Sequence, residues 1–159
     1  MAKIRTTDRR RNVNTPKVAI LLVEDDDVDA KAVERGLLAA RINNPVVRAH
    51  DGVEALELLL GTNGKKKLQP PYLLLVDISM PRLDGLGLVR AIRGNLVLQR
   101  TVIFMLTTSD SDRDQMAAYD SHVAGYIVKS NSPDRYRDLG NMLDYYLMIV
   151  SPAPAAASA

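Results

Sequence analysis

The sequence predicts an α/β protein with a doubly wound parallel sheet of five strands and five helices. Short apolar runs alternate with segments of helical periodicity along the 159 residues. This β-α alternation is typical of a parallel sheet with helices on both faces. The runs at 17–23, 72–76 and 101–106 are continuously apolar, which indicates strands that are buried on both faces. A chain of this length can bury a core of its own, so we expect one domain.

Each strand is predicted from a short, mainly apolar run, and the first of these runs is rich in β-branched residues. The runs cover residues 17–23 (KVAILLV), 46–49, 72–76 (YLLLV), 101–106 (TVIFML) and 124–128. The third run ends directly on Asp77, although aspartate is rarely buried without a partner. That carboxylate therefore points to a special environment at the end of the strand.

Each helix is predicted from apolar spacing together with a start or stop signal. The first helix has Asp26 or Asp27 as its N-cap and ends before Asn43. Its core face is predicted to carry Val28, Val33 and Leu37. The later helices are predicted at 53–60, 85–93, 112–120 and 133–150, with Ser111 capping the fourth and Pro133 in the first turn of the fifth.

The charge distribution separates the ends of the chain from its middle. Residues 1–16 hold five basic residues and one acidic residue, a net of +4, so the overall net charge of +2 leaves −2 for the remainder. We expect a disordered basic leader at 1–16, one domain at 17–150 and a flexible tail at 151–159. A nucleic-acid-binding function would rest on the leader alone. The absence of cysteine excludes a thiol nucleophile and disulfides, and no apolar run approaches the ~18 residues of a membrane span, so we expect a cytoplasmic protein.

Polar side chains follow four of the predicted strands, at the edge where parallel sheets bind ligands. Glu24 and Asp25 follow the first strand, and Asp77, Thr107 and Lys129 follow the third, fourth and fifth. Two carboxylates ~4 Å apart repel by about 4 kcal/mol at a dielectric of ~20, so the cluster predicts a cation, with Mg²⁺ preferred by oxygen ligands. A carboxylate beside a metal, an ammonium and a hydroxyl suits phosphoryl transfer onto that carboxylate. Acids at the ends of strands can also simply cap the helices that follow. We prefer that interpretation for Asp26 and Asp27, but not for Glu24, Asp25 and Asp77.

Four motifs in order resemble the receiver domain of bacterial two-component response regulators. They are LLVEDD at 21–26, LLLVDISMPRLDG at 73–85, MLTTS at 105–109 and GYIVKS at 125–130. The resemblance implies the flavodoxin-like receiver fold with strand order 2-1-3-4-5. The TTS and KS motifs, together with the loop after the second helix, resemble the stand-alone regulators that partner phytochrome histidine kinases.

The resemblance also implies a role for each site residue. It makes Asp77 the phosphoacceptor, Asp25 the direct Mg²⁺ ligand and Glu24 its partner acting through water. Ser79 would give its backbone carbonyl to the metal, Thr107 and Tyr126 would be the switch residues, and Lys129 would pair with the acceptor or its phosphate. The family usually has proline after this lysine, where the present chain has Ser130. The implied protein is a phosphoacceptor that catalyses only its own phosphoryl transfer and dephosphorylation.

The last helix predicts an interface. One stripe is expected to face the core, and it comprises Tyr136, Leu139, Leu143, Tyr146 or Leu147, and Val150. A second stripe of Met142, Tyr145 and Ile149 would be exposed on a monomer, which favours an isologous dimer over a merely broader buried face. The resemblance adds that such regulators dimerise through the fourth and fifth helices and their C-terminal segments.

Three other functions are alternatives to the phosphorylation switch. A constitutive dimeric scaffold would not need the acid, threonine and lysine set. An aspartyl-phosphate hydrolase of the haloacid-dehalogenase type would need a second acid where Ser79 lies, and a cap insertion that the chain lacks. Direct DNA binding is not expected, because no helix-turn-helix follows the last helix.

Overall fold

In a computed structural model, the described residues 17–108, 111–129 and 132–150 form five strands and five helices in strict alternation. The strands are β1 (Ala19–Val23), β2 (Val46–Ala49), β3 (Tyr72–Val76), β4 (Val102–Thr107) and β5 (Gly125–Val128). The helices are α1 (Asp27–Ala39), α2 (Gly52–Leu60), α3 (Gly85–Arg93), α4 (Asp112–Asp120) and α5 (Pro133–Ile149). The predicted leader, the predicted tail and Ser130 lie outside the described residues.

All strand pairs are parallel, and the sheet order is β2-β1-β3-β4-β5, so the predicted fold is confirmed. The register places Val23 opposite Val76, and Val76 opposite Met105. The backbone N–H of Asp77 donates to the carbonyl of Val23 over 3.0 Å. Because the central strands end level with one another, the residues that follow them share one edge of the sheet.

The three central strands β1, β3 and β4 are buried on both faces, as their continuous apolar runs predict, whereas the edge strands β2 and β5 are partly exposed. Leu74, Val76 and Met105 pack on the face covered by α2, α3 and α4, together with Leu88 and Ile92 of α3. The opposite face is covered by α1 and α5, and its buried side chains include Ile20, Leu75, Val33, Leu37 and Leu143. Burial of such side chains stabilises the fold by about 1.5–3 kcal/mol each. None of the described helices is long and apolar enough to cross a membrane.

Two glycines allow α1 and α5 to cross at close range. A Cβ atom on Gly36 would lie 2.5 Å from the Cβ of Tyr136, and one on Gly140 would lie 2.6 Å from the Cβ of Ala40. Both contacts are shorter than any real carbon contact, so larger residues would force the helices apart. The close crossing places Tyr136, in the first turn of α5, against Gly36 in the C-terminal half of α1.

Two predicted core positions are wrong. Val28 is 71% exposed because, at about 100° per residue, it lies on the opposite side of α1 from the buried Leu37. Val150 is exposed because α5 ends at Ile149, so that Val150 is the C-cap in an extended conformation. The N-cap of α1 is Asp26, whose side chain accepts from the N–H of Asp29.

Candidate functional site

Three carboxylates lie together at the carboxyl edge of the sheet. Glu24 and Asp25 follow β1 and Asp77 follows β3, and one oxygen of each lies within 4.8 Å of the other two. Glu24 and Asp77 are buried, whereas Asp25 is exposed. The sheet register therefore brings together the acids that the sequence suggested, with one of them open to solvent.

Lys129, directly after β5, is the cation that faces these acids. Its side chain is 4% exposed, and its Nζ lies 2.5 Å from Oε2 of Glu24 and 3.7 Å from Oδ1 of Asp77. A third carboxylate, Oδ2 of Asp29, lies 2.8 Å from the same Nζ. In the structure Lys129 is thus bonded to Glu24 and Asp29 and stands back from Asp77.

Burial and the Lys129 ammonium shift the pKa values of the two buried acids in opposite directions. Burial, with a smaller contribution from the Asp77 charge, raises the pKa of Glu24 to about 7 against the opposing hydrogen bond from Lys129. Burial also raises the pKa of Asp77, against the charge of Lys129 and the backbone N–H groups of Ile78 and Ser79. Burial alone would lower the pKa of Lys129, but its hydrogen bonds to Asp29 and Glu24 raise it overall. The buried acids hold their negative charge at a cost, which a bound cation would offset.

The loop between β3 and α3 closes tightly around Asp77. Asp84 caps α3 by accepting from the N–H of Gly87 over 2.7 Å, and the N–H of Gly85 donates to the carbonyl of Ile78 over 2.8 Å. A Cβ atom on Gly85 would lie 2.1 Å from the carbonyl oxygen of Asp77. Only glycine lets the helix start this close to Asp77, which explains the Asp-Gly pair in the motif.

A salt bridge that the sequence did not suggest fastens the same loop to α2. Nε of Arg82 lies 2.7 Å from Oδ2 of Asp51, and Oδ1 of the same carboxylate accepts from the N–H of Glu54 at the start of α2. Arg82 has a φ of 65°, a left-handed conformation that is unusual outside glycine. Burial alone would raise the pKa of Asp51, but the hydrogen bond and charge of Arg82, together with the backbone N–H groups of Glu54 and Val53, lower it overall. This pair fixes the path of the loop that carries Ser79, whose side chain is exposed.

Arg48 of β2 supports the acidic loop after β1. Its Nε donates to the carbonyl of Glu24 over 3.1 Å and a terminal nitrogen donates to the carbonyl of Asp25 over 3.3 Å. The other terminal nitrogen forms a 2.7 Å ion pair with Asp27. The only signal in the sequence is an arginine within an otherwise apolar strand.

Thr107 and Tyr126 lie on the two strands beyond β3. Thr107 is buried at the end of β4, and its carbonyl accepts from the N–H of Lys129 over 2.6 Å. Tyr126 is half-buried on the edge strand β5, where it packs against the cluster beneath α3 and α4. The candidate hydroxyl and the candidate aromatic therefore lie on adjacent, paired strands, with Thr107 next to Lys129.

Comparison with known proteins decides the family. Residues 20–139 match the response regulator receiver domain. The chain belongs to this family. Response regulator Rcp1 of Synechocystis sp. is 33% identical over 144 residues, which cover 90% of this chain and 97% of Rcp1.

Solved structures agree with that assignment. The crystal structure of Mn²⁺-bound Rcp1 aligns with a TM-score of 0.77 at 29% identity. The alignment covers 86% of the present chain and 99% of the Rcp1 chain. The phosphorylated cyanobacterial phytochrome response regulator RcpA has a TM-score of 0.78 at 27% identity, covering 87% and 99%. The predicted relationship to phytochrome response regulators is confirmed.

The acidic residues of this receiver fit a divalent cation. Three carboxylates face one ammonium, which leaves an excess of negative charge, and the donors are all oxygens, as Mg²⁺ prefers. Receiver domains bind Mg²⁺ or Mn²⁺ at an acidic pocket, and the cluster of Glu24, Asp25 and Asp77 provides one here.

The second apolar stripe of α5 lies at the surface of the receiver. Tyr145 is 67%, Ile149 80% and Met142 36% exposed. Met116 and Tyr119 of α4 are also exposed. The structure therefore leaves apolar side chains uncovered on both helices.

Proposed function

We propose that this receiver accepts a phosphoryl group from a histidine kinase onto Asp77, with Mg²⁺, and that phosphorylation switches its interactions with other proteins. The observation that carries the proposal is the placement of Asp77 beside two further acids and Lys129 at one sheet edge. We take residues 17–150 as the receiver unit. The function deepens the family assignment, which establishes a response regulator but not its chemistry.

The Asp77 carboxylate is the nucleophile in this account. One of its oxygens attacks the phosphorus of a phosphohistidine, the O–P bond forms, the P–N bond breaks, and the histidine nitrogen keeps the electron pair. Asp25, Asp77 and the carbonyl of Ser79 would hold the metal directly, with Glu24 acting through water. The bound metal would supply positive charge at the phosphoryl oxygens.

Lys129 and Thr107 complete the site. The Lys129 ammonium is 3.7 Å from Oδ1 of Asp77, and a phosphoryl group on Asp77 would extend towards it. We assign to Thr107 the hydroxyl that bonds the phosphoryl group, and to Tyr126 the aromatic that follows its movement. Thr107 ends β4, the strand next to β3, and Tyr126 lies on β5, which pairs with β4; this placement supports that assignment.

For partners, we propose a kinase of the bacteriophytochrome type and a homodimer through α4, α5 and the C-terminal segment. Similarity to a phytochrome response regulator supports the kinase. The exposed Met142, Tyr145 and Ile149 support the dimer, because adjoining exposed apolar side chains mark interfaces more often than free surface.

The test of phosphoryl transfer is intact mass after incubation with phosphoramidate and Mg²⁺. The native chain should gain one phosphoryl group, and it should gain none with a chelator or as Asp77→Asn. Asp138→Asn, an exposed acid on α5, is the matched control and should gain one. No adduct from phosphoramidate or from a phytochrome kinase would favour the constitutive scaffold. Rapid hydrolysis of unrelated phosphate esters would favour the hydrolase, although Ser79 in place of a second acid argues against that.

A further inference from the structure

We propose that Asp29 is a positioning residue for Lys129. It holds the ammonium in a reserve position before phosphorylation and releases it when a phosphoryl group arrives on Asp77. The proposal rests on the proposed phosphoryl transfer and adds a residue that the sequence motifs did not include. Its central observation is that Lys129 bonds to Asp29 at 2.8 Å while standing 3.7 Å from Asp77.

Asp29 is fixed in place to serve this contact. It lies in the first turn of α1, where its own N–H donates to the carboxylate of Asp26 over 2.8 Å. Capping of the helix is thus done by Asp26, which leaves the Asp29 carboxylate to accept from Lys129. The Asp29 side chain is 37% exposed, so solvent can rehydrate it when the ammonium leaves.

Glu24 cannot fulfil this role alone. Its Oε1 accepts from the N–H of Asp26 over 3.1 Å and its Oε2 accepts from Lys129, so both oxygens are in use. Glu24 also belongs to the acid cluster that suits a cation, whereas Asp29 lies outside that cluster. If a bound cation took an oxygen of Glu24, Asp29 would be the remaining partner of Lys129, whose side chain is only 4% exposed. A buried ammonium without a partner is strongly unfavourable, and Asp29 prevents that state.

The two positions of Lys129 compete. In the unphosphorylated protein the Asp29 carboxylate favours the reserve position, and in the phosphorylated protein the phosphoryl oxygens favour the position near Asp77. Removal of the Asp29 charge weakens only the reserve position. It should therefore shift Lys129 towards the phosphoryl group and stabilise the phosphorylated arrangement.

The test measures beryllofluoride binding to the full chain by calorimetry at saturating Mg²⁺. Asp29→Asn should bind about tenfold more tightly than the native chain, the effect of one charge-assisted hydrogen bond. Asp29→Glu should return the affinity towards the native value. Glu34→Gln, which removes the same charge from α1 one turn further on, should change it less than twofold. An affinity of Asp29→Asn equal to or weaker than native would overturn the proposal.

The Lys129→Met background distinguishes an effect that acts through Lys129 from a general effect of the Asp29 charge on anion binding. There Asp29→Asn should have no effect, and a persisting tenfold gain would overturn the role assigned to Lys129. If Lys129→Met binds no beryllofluoride, a double-mutant cycle in urea unfolding without metal decides instead. The pair should then be coupled by about tenfold in the folding equilibrium constant, and simple additivity would refute the contact.

These outcomes are distinguishable from failure of the proposed function. A native chain that binds no beryllofluoride contradicts phosphoryl transfer at Asp77, whereas the unfolding cycle still tests the Asp29–Lys129 contact. A native chain that binds it, with Asp29→Asn unchanged, contradicts the role of Asp29 alone.

Discussion

Replacing Asp77 by asparagine should stabilise the protein in the absence of metal. The Lys129 ammonium, 3.7 Å away, attracts the Asp77 carboxylate by about 4.5 kcal/mol at a dielectric of ~20. Glu24, within 4.8 Å, repels it by about 3.5 kcal/mol, and the exposed Asp25 adds roughly 1 kcal/mol after screening. These attractions and repulsions nearly cancel, so the unfavourable burial of the Asp77 charge determines the sign of the effect. We therefore expect Asp77→Asn to raise the free energy of unfolding by about 1–2 kcal/mol.

The sign follows from the pKa of Asp77, which burial raises above its ordinary value of 3.8. Between that value and the folded pKa, the folded state binds more protons than the unfolded state, so native stability falls as pH rises. Asp77→Asn does not lose stability in this way. The free energy of unfolding of the variant should therefore exceed that of the native chain by an amount that grows as pH rises above about 4 and becomes constant once Asp77 is ionised in both states.

The assay is urea unfolding followed by circular dichroism at pH 8, with a chelator and then with Mg²⁺. With the chelator Asp77→Asn should unfold at higher urea than the native chain. With Mg²⁺ the native chain should gain about 2.7 kcal/mol at a concentration of one hundred times Kd, and the variant should gain much less. Asp138→Asn should follow the native chain in both conditions. Destabilisation of Asp77→Asn in the chelator, or equal stabilisation of both chains by Mg²⁺, would refute the electrostatic reasoning.

Three further changes test other parts of the structure. Gly85→Ala should destabilise the fold by about 2–4 kcal/mol in urea unfolding because its Cβ would lie 2.1 Å from the Asp77 carbonyl oxygen, whereas Gly94→Ala, with its nearest neighbour at 3.5 Å, should change stability by less than about 1 kcal/mol. Glu54→Gln should lower the free energy of unfolding by about 1–3 kcal/mol at pH 6, because the His50 backbone N–H and Lys65 outweigh burial and lower the pKa of Glu54 to about 2. The difference in stability between the native chain and this variant should shrink as pH falls from about 4.5 to about 2. A difference that stays constant over this range would contradict the reasoning. Tyr145→Arg should abolish the dimer in analytical ultracentrifugation while Met148→Arg, on the neighbouring face of α5, leaves it intact; equal effects would place the interface elsewhere.

Local signals were sufficient for the fold. The run at 72–76 is buried because its residues are apolar without alternation, and the turn after it needs glycine at position 85 for close approach. Parallel strands end at one edge, so Glu24, Asp77 and Lys129 could be brought together from the sequence alone. Such inferences hold where a short stretch of chain decides its own conformation.

Contacts between distant elements were not accessible in this way. Arg82 meets Asp51 from another β-α unit, and Arg93 donates to the carbonyls of Gln99, Thr101, Ser121 and His122 across two loops. Asp29 was missed because four acids precede it, and only the position of Lys129 in space distinguishes it from them. Side-chain partners across the sheet depend on helix crossing and rotamers, which a linear pattern does not specify.

The central claim is that Asp77 itself carries the phosphoryl group. The most direct measurement is borohydride reduction of the phosphorylated chain, which converts an aspartyl phosphate into homoserine, followed by mass spectrometry of the peptide that contains residues 72–85. The account predicts homoserine at position 77, dependent on Mg²⁺ and absent from the unphosphorylated chain. Homoserine at position 25 instead, or a peptide that retains Asp77 while the intact chain carries the phosphoryl group, would contradict it.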